Sequence, residues 1–481
     1  MSKTKKENMT NKGTILIDVQ ENMSSVSLIE GGLLNEFYVE FNHNYSLTGN
    51  IYKGRVVNVL PGLETAFVDI GLNKNAFLFI GETHDKEKSH KINEGDFVMV
   101  QVTKEETKDK GAMVTTNISI PGRLLLYLPQ IDFAGVSGRI TDAETRHRLL
   151  KVIEKIKKPN DGFVARTLCM EESVSEIEKE AKVLRELSKV VTEKYLESGI
   201  GLIHSEDNLL LRCVRDILSK NIEKIYCNDK KTTNELKEKC KIHHPSFHNL
   251  IEYHNDKIDI LDEFGVIKQL DKLLEKTVTL GCGGTLNIDK TTALTAIDVN
   301  THKFVGGVDH EQTIYETNMQ AAKEIARQLR LRNTGGLVVV DFIDMYSEEQ
   351  LDDVLNLLRS EVAQDRVKTR VMGSIGFGLV ALTRKKMGNE LRKYLLDDCD
   401  ECGGRIHSKN YMMRKMKAGL KRLFSEGDHT QAFIALCPYF SKQISAFNEF
   451  ISDCKQIWPD KDISFVSSPT AKTGEFYVSG R

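Results

Sequence analysis

The stretches ALTAIDVN (293–300) and EIARQLRLRNTGGLVVVDFIDM (324–345) decide the fold of the middle of the chain. The first predicts a strand, the residues after it a helix of about twenty residues, and LVVVDFID (337–344) a second strand. A strand, a helix and a strand in this order predict two neighbouring strands of one sheet. A helix at 348–363 and a strand around KTRVMGS (368–374) extend that sheet.

Two acids stand at the ends of these strands. Asp298 and Asp341 each follow three or four apolar residues, so the strand backbone is buried while the carboxylate is presented at the end of the sheet. Ligands of open α/β sheets gather at such ends, and two carboxylates with room for water suit Mg²⁺. Asn300 could orient Asp298, and Asp344 is a competing ligand. The alternative is that the aspartates are surface groups or helix caps.

A basic run lies between the two acids at helical spacing, at Lys323, Arg327, Arg330 and Arg332. A polyanion passing the metal could rest on it. The alternative is a solvated helix face, which is favoured when the run is considered alone.

Upstream, residues 50–117 alternate with period two between glycines, in NIYKGRVVNVL, ETAFVDIG, NAFLFIG, GDFVMVQV and GAMVTTNI. Five such strands predict a small closed β-barrel. Phe67 and Phe77 stand on these strands, with positive charge from Lys53, Arg55 and Lys110. Such barrels bind single-stranded nucleic acid by stacking bases on aromatic rings. The alternative, that both rings belong to the core, is equally open.

The segments around the barrel, GTILIDVQ (13–20), FYVEF (37–41), RLLLYLP (123–129) and GFVARTL (162–168), resemble strands of another unit into which the barrel is inserted. Residues 171–196 predict an amphipathic helix. Residues 200–280 are mixed α/β, with a charged middle that loops out or forms a surface helix. A basic helical segment and a small α+β piece follow Cys402.

Nine cysteines are scattered along the chain, and only Cys399 and Cys402 form a close pair. This excludes a disulfide framework. A single C-x-x-C holds two corners of a zinc tetrahedron, which either His407 and a fourth group or the pair of a second chain would complete. A redox dithiol and two buried thiols without a role are the alternatives.

The composition of the chain excludes several classes of protein. The 481 residues predict three or four structural units, and 67 Lys plus Arg against 69 Asp plus Glu mean that affinity for a polyanion must come from local patches. With 40% hydrophobic residues, wholesale disorder is excluded. No apolar run approaches a membrane span, and the charged N-terminus lacks an apolar signal core. We therefore expect no membrane span and a cytoplasmic location.

The 293–345 stretches, together with NIYKGRVVNVLPGLETAFVDIG (50–71) and DDCDECGG (397–404), resemble the ribonuclease E and ribonuclease G family of bacterial endoribonucleases, and its shorter, ribonuclease G-type members most closely. The resemblance implies a magnesium-dependent endoribonuclease that cleaves single-stranded RNA to 5′-phosphate and 3′-hydroxyl ends. It further implies a role in RNA processing, including rRNA maturation, and in mRNA decay.

The resemblance also implies an α/β multidomain fold. Its parts are a mobile tail (1–12), an RNase H-like unit (13–48 and 119–212, the second part with a 5′-end sensor), an inserted S-one-type OB-fold RNA-binding domain (49–118), a DNase I-like catalytic domain (213–397), a zinc link (398–408) and a small C-terminal α+β domain (409–481).

Residue roles follow from the same resemblance. Asp298 and Asp341 hold the catalytic Mg²⁺, and Asn300 steadies the site. The remaining assignments are Phe67, Phe77 and Lys110 for gripping RNA; Arg166, Thr167, Gly122, Leu126 and Lys368 for binding a 5′-monophosphate; and Cys399 and Cys402 for structural Zn²⁺ shared between subunits. Shared zinc implies a homodimer, with a homotetramer as the larger alternative.

One departure from the family pattern concerns the 5′-end sensor. Gly138 and Arg139 stand where the family usually has two arginines, so one phosphate-binding guanidinium is missing. The competing class is a non-catalytic RNA-binding protein or an assembly scaffold, in which the acids would be inert.

Overall fold

The computed structural model of the chain describes residues 12–21, 23–41, 47–80, 92–106, 110–206, 209–218, 221–243, 245–255, 258–301, 310–345, 347–376, 378–386, 389–398, 404–441, 447–469, 471 and 476–481. They form two compact units. The first consists of the chain up to Val39 with Asn221–Lys237 and Asn249–Arg481, and the second of Glu40–Lys220 with Glu238–His248.

In chain order, the strands of the described residues are β1 (Gly13–Val19), β2 (Met23–Glu30), β3 (Leu33–Phe41), β4 (Ile51–Leu60), β5 (Thr65–Asp69), β6 (Ala76–Phe79), β7 (Phe97–Lys104), β8 (Met113–Thr115), β9 (Ile120–Pro121), β10 (Leu125–Pro129), β11 (Phe133–Val136), β12 (Asp161–Ala165), β13 (Gly201–His204), β14 (Ile222–Cys227), β15 (Ile251–Tyr253), β16 (Thr277–Thr279), β17 (Thr285–Lys290), β18 (Leu294–Asn300), β19 (Gly336–Asp341), β20 (Thr369–Gly376), β21 (Leu379–Arg384), β22 (Leu396–Asp398), β23 (Arg405–His407), β24 (Gln431–Leu436), β25 (Asp462–Ser467) and β26 (Phe476–Gly480).

The α-helices of the described residues are α1 (Ala143–Ile156), α2 (Val174–Glu197), α3 (Leu209–Ile217), α4 (Lys230–His243), α5 (Pro245–His248), α6 (Ile260–Glu263), α7 (Val266–Leu274), α8 (His310–Leu331), α9 (Glu348–Ala363), α10 (Arg392–Leu395), α11 (Lys409–Glu426), α12 (Pro438–Ser441) and α13 (Asn448–Ile457). The predicted helices at 171–196 and 348–363 are confirmed as α2 and α9, and the charged middle of 200–280 forms helix α4. None of the described helices is both long and apolar enough to cross a membrane.

The first unit begins with a five-stranded sheet in the order β15-β14-β1-β2-β3. Strand β1 is antiparallel to β2 and parallel to β14, and Ile15, Leu16 and Ile17 are fully buried. Strands β14 and β15 follow the boundary predicted at residue 212 and nevertheless extend the sheet that begins at Gly13. Side-chain periodicity predicts that a segment is a strand but does not identify its partner.

A buried ion triad joins helix α11 to this sheet. The Arg414 guanidinium donates to both carboxylate oxygens of Asp259, at 2.7 and 2.8 Å, and its Nε lies 3.1 Å from Oδ2 of Asp18. Burial raises the pKa of Asp18; for Asp259 the attraction of Arg414 outweighs burial and lowers the pKa. Two carboxylates therefore share one guanidinium away from water.

The second sheet of this unit has the order β16-β17-β18-β19-β21-β20. Strands β18 and β19 are parallel neighbours, as predicted, and helix α8 connects them. Helices α8 and α9 pack on one face, where Ile297, Val299, Val338 and Val340 are buried in a single core cluster. Each such side chain contributes about 1.5–3 kcal/mol on burial, so this face fixes the strands and leaves the alternate residues on the opposite face.

The second unit contains the predicted barrel, and its five strands are confirmed. They follow one another in the order β4-β5-β6-β8-β7, and β7 pairs back with β4, which closes the barrel. All neighbours are antiparallel except β6 and β8, which are parallel. This arrangement is OB-like. Ala66, Val68, Ala76 and Leu78 point into the core.

A separate four-stranded sheet in the order β11-β12-β10-β9 completes the second unit. Strands β10 and β12 come from RLLLYLP and GFVARTL, which the sequence grouped with GTILIDVQ and FYVEF in one unit. These segments lie in two different sheets, because β10 and β12 pair with each other while β1 and β3 belong to the first unit's sheet. Tyr127 and Phe163 stack here with ring centroids 4.8 Å apart.

Candidate active site and nucleic-acid interface

Asp298 and Asp341 lie directly opposite each other on the parallel strands β18 and β19. Both are exposed, whereas Ile297, Val299 and Val340 beside them are buried under the helices. Alternation therefore directs both carboxylates to the open face of the sheet. Neighbouring strands are about 4.8 Å apart, so two negative charges are held close together, an arrangement that a divalent cation would stabilise.

Side-chain amides hold one of these carboxylates. Asn300 Nδ2 donates to Oδ2 of Asp298 at 2.5 Å, as the sequence predicted for an orienting partner. Asn287 on β17, which sequence reasoning missed, lies opposite Asp298 in the register and donates to the same oxygen at 3.4 Å. The signal available in the sequence was the period-two alternation of β17, which places Asn287 on the same face of the sheet as Asp298. Strand β17 lies two strands from β19, which carries Asp341.

The competing ligand Asp344 is exposed after the end of β19. The turn that carries it is fixed by Asn318 of α8, a fully buried residue whose amide donates to the carbonyl of Ile343 at 2.8 Å and accepts from its N–H at 3.2 Å. The backbone that leaves Asp341 is therefore held in one conformation.

The arginines of the basic run, which lie on α8 and directly after it, contact the protein itself. Arg330 donates to the carbonyl of Asn35, and the buried Arg332 donates to the carbonyl of Glu275. Burial lowers the pKa of Arg327, and of Arg332 to about 10. Of these four side chains only Lys323 is exposed, so the arginines do not form the solvated helix face that the sequence favoured.

In the barrel, Phe67 and Phe77 stand opposite each other on β5 and β6. Both are half-buried, outside the core cluster, and their rings meet edge to face with centroids 6.1 Å apart. The register continues the row across five strands, in the order Asn58, Phe67, Phe77, Met113 and Lys104. The sequence did not decide whether these two rings belong to the core or to the surface of the barrel. The structure places both rings on the outer face.

The positive charges predicted beside these rings have different environments. Lys110 and Arg55 are exposed. Lys53 donates to the carbonyls of Tyr195 and Ser198, both at 2.8 Å, at the end of helix α2. Lys53 therefore stabilises the C-terminus of a helix, where cations are favourable, and is not presented to a ligand.

Gly122, Leu126, Arg166 and Thr167, the residues assigned to the 5′-phosphate pocket, come from the β10–β12 sheet and its connections. Arg166 directly follows β12; its N–H donates to the carbonyl of Leu124 at 2.7 Å and its guanidinium donates to the carbonyl of Gly122. Thr167 begins the following 3₁₀ turn. The structure thus brings Arg166 and Gly122 into contact. Lys368 is exposed before β20 in the first unit.

Two carboxylates that sequence reasoning missed lie in this region. Asp216 accepts from Arg166 at 2.8 Å and from Arg215 at 3.2 Å, and these guanidinium groups outweigh its burial and lower its pKa. Glu180 accepts the N–H groups of Arg123, Leu124 and Leu125 at 2.8, 2.7 and 2.8 Å, while burial raises its pKa. Arg166 is therefore engaged by a carboxylate of the protein itself.

Cys399 and Cys402 lie outside the described residues. The described cysteines Cys169, Cys227, Cys240, Cys282, Cys437 and Cys454 are free thiols. His407, the possible third zinc ligand, is half-buried with Nε2 3.8 Å from Asp271 Oδ1 and its ring against Tyr411. Within the described part of the chain, no group of three or more His, Cys, Asp or Glu residues is arranged to hold a metal ion.

Comparison with known proteins identifies the family of the chain. The model of the ribonuclease E/G family matches residues 119–387. Over 407 residues the chain is 38% identical to ribonuclease G of Haemophilus influenzae and 36% identical to ribonuclease G of Escherichia coli K12, in each case covering 81% of this chain and 83% of the relative. Ribonuclease E of Haemophilus influenzae is 32% identical over 82% of this chain and 44% of its own length. The chain belongs to the ribonuclease E/G family.

Proposed function

We propose that the chain, which is an endoribonuclease and therefore a hydrolase, cleaves single-stranded RNA with Mg²⁺ held by Asp298 and Asp341. The observation that carries the proposal is the register of these two carboxylates on the open face of their sheet. Membership of a ribonuclease family supports the reaction class. Cleavage would leave 5′-phosphate and 3′-hydroxyl ends.

The donor set fits this cation. Mg²⁺ prefers oxygen ligands, keeps several waters and is commonly bound by only one or two protein carboxylates, which agrees with two exposed aspartates and no larger acidic group among the described residues. When bound there, Mg²⁺ would activate a water and stabilise charge on the phosphoryl oxygens. Asn300 keeps Oδ2 of Asp298 in a fixed direction, so that the carboxylate does not reorganise when the site fills.

The outer face of the barrel would bind the substrate. Phe67 and Phe77 offer two half-buried rings on adjacent strands, and Lys110 supplies an exposed cation in the same unit. Stacking a base on an aromatic ring contributes about 1–3 kcal/mol and does not depend strongly on sequence. This arrangement supports binding of unpaired RNA rather than of a duplex, whose bases are already stacked.

A terminal 5′-monophosphate would bind beside Arg166 and Thr167, with Gly122 and Leu126 assigned to the same pocket. The side chain of Arg166 is 30% exposed and that of Asp216, which is paired with it, 24% exposed, so a phosphate would have to compete with Asp216 for Arg166. With Gly138 contributing no charge, we expect only a modest preference for 5′-phosphorylated RNA.

The remaining proposals concern the assembly of the protein into oligomers and its role in the cell. We propose that Cys399 and Cys402 share one structural Zn²⁺ with the same pair of a second chain, giving a homodimer or a homotetramer. We propose a cytoplasmic location and roles in rRNA maturation and mRNA decay, which membership of the family supports.

A labelled single-stranded oligoribonucleotide tests this proposal. The protein is incubated with it in Mg²⁺ or in EDTA, and the product ends are mapped. We expect internal cleavage with 5′-phosphate and 3′-hydroxyl ends in Mg²⁺ and none in EDTA. Binding without cleavage in Mg²⁺ would instead identify a non-catalytic RNA-binding protein or a scaffold.

A further inference from the structure

Asn287 stands between a hydroxyl and the carboxylate of Asp298. The Thr277 hydroxyl donates to Oδ1 of Asn287 at 2.9 Å, and Nδ2 of Asn287 donates to Oδ2 of Asp298 at 3.4 Å. The three residues belong to the consecutive strands β16, β17 and β18 of one sheet. A chain of hydrogen bonds therefore runs from the edge of the sheet to the proposed metal ligand.

The strand register explains why these side chains meet. Thr277 is opposite Asn287, and Asn287 is opposite Asp298, in two antiparallel pairs. Directly opposed residues have their Cβ atoms about 4.5–5.5 Å apart, which short polar side chains can bridge. Leu286 and Ile288, on either side of Asn287, are buried in the core, so alternation turns Asn287 to the open face.

The orientation of the Asn287 amide follows from its two neighbours. An amide has one end that accepts and one that donates, and the Thr277 hydroxyl occupies the accepting end. The reversed amide would place its oxygen against the carboxylate of Asp298. Asn287 and Asn300 thus donate to the same oxygen, Oδ2, and no described residue donates to Oδ1 of Asp298.

We propose that Asn287, held by Thr277, is a positioning residue that fixes the rotation of the Asp298 carboxylate and presents Oδ1 to the divalent cation. This inference rests on the proposed metal site and adds to it two residues outside its predicted ligand set. Asn is otherwise depleted in strands, so its place in the middle of β17 is accounted for by this contact.

The expected effect is on cation affinity. Groups that orient metal ligands change affinity by about 10–100-fold when removed, and a contact of 3.4 Å is long for a hydrogen bond. Asn300 also remains in place. We therefore expect Asn287→Val to weaken binding by about three- to tenfold, below the usual range.

Manganese binding to the full chain without RNA tests the inference, with free Mn²⁺ measured by electron paramagnetic resonance. Asn287→Val should raise the Kd for Mn²⁺ as stated, and Thr277→Val should raise it less. In the double variant, Thr277→Val should have no further effect, because its hydroxyl acts only through Asn287. Thr279→Val is the matched control, since Thr279 is on the same strand β16 but opposite Thr285. It should bind Mn²⁺ like the wild type.

Wild-type affinity in Asn287→Val, or additive effects of the two substitutions, would overturn the inference. Asp298→Asn separates this failure from that of the proposed function. If Asp298→Asn loses Mn²⁺ binding while Asn287→Val retains it, only the positioning role is wrong. If Asp298→Asn also binds Mn²⁺ like the wild type, the metal site itself is wrong. Thermal unfolding of each variant checks that it is folded.

Discussion

Gly138→Arg should strengthen the preference for RNA with a 5′-monophosphate, because it restores the charge that the pocket lacks. The substitution is sterically free. Gly138 is exposed, its φ lies outside the left-handed region, and a Cβ built on it meets no heavy atom within 4 Å. The variant therefore changes the charge near the pocket without straining the loop after β11.

The magnitude follows from the contacts of Arg166. Its guanidinium is already hydrogen-bonded to Asp216 at 2.8 Å and to the carbonyl of Gly122, so a phosphate gains only part of a charge-assisted interaction in the wild type. A full charge-assisted hydrogen bond contributes about 1.5–3 kcal/mol, which corresponds to roughly 10–150-fold. We expect the wild type to cleave 5′-monophosphorylated RNA less than about tenfold faster than 5′-hydroxyl RNA. In Gly138→Arg we expect this ratio of rates to be about tenfold larger.

The assay compares cleavage rates of matched oligonucleotides that carry a 5′-monophosphate or a 5′-hydroxyl. Gly138→Ala is the control for the backbone change and should behave like the wild type, while Arg166→Ala should abolish the preference. An unchanged ratio in Gly138→Arg would refute the argument from the missing guanidinium. Identical wild-type rates on the two substrates would mean that the sensor is lost. A large ratio that disappears only in Arg139→Ala would mean that Arg139 has replaced the missing charge.

Three further predictions concern the barrel, the cysteine pair and the buried triad. Phe67→Ala or Phe77→Ala should weaken RNA binding by about 1–3 kcal/mol in fluorescence anisotropy, with the circular dichroism of the folded protein retained. Cys399→Ser with Cys402→Ser should release zinc, present at one ion per two chains, and shift the protein to smaller assemblies in sedimentation. Arg414→Leu should lower the free energy of unfolding by about 3–5 kcal/mol in urea, because it leaves two buried carboxylates without their cation.

Each of these three predictions has a result that would contradict it. For the barrel, Phe133→Ala removes another exposed ring of the same unit, and an equal loss of RNA binding there would argue against stacking. One zinc per chain would indicate a closed site within the subunit, with His407 a candidate ligand. For the triad, Asp18→Asn combined with Asp259→Asn should restore part of the stability of Arg414→Leu. No loss in Arg414→Leu would show that the ion contacts are dispensable.

The parts of the fold that depend on local pattern could be predicted from the sequence. The period of the 348–363 helix, the alternation of the five barrel strands and the neighbouring positions of Asp298 and Asp341 all agree with the structure. In each case the spacing of apolar residues selects one buried face, and that face then determines where the polar residues point.

Pairing between distant segments could not be predicted in the same way. Nothing within RLLLYLP tells whether it joins β1 or its own sheet, and Arg330 and Arg332 bind carbonyls 295 and 57 residues away. Asp216 shares no local motif with Arg166, 50 residues before it. The role of Asn287 could have been predicted in part. If β17 and β18 had been paired as a hairpin, Asn287 would have been placed opposite Asp298.

The most direct test of the account is single-turnover cleavage by Asp298→Asn and Asp341→Asn in Mg²⁺, with RNA affinity measured on the same samples and Asp344→Asn for comparison. A neutral amide fills the space of a carboxylate but does not hold the cation as a carboxylate does. We predict cleavage at least about a hundredfold slower in both variants, with RNA affinity unchanged and Asp344→Asn close to the wild type. Near-normal cleavage by either Asp298→Asn or Asp341→Asn would contradict the assignment of the metal and of the reaction.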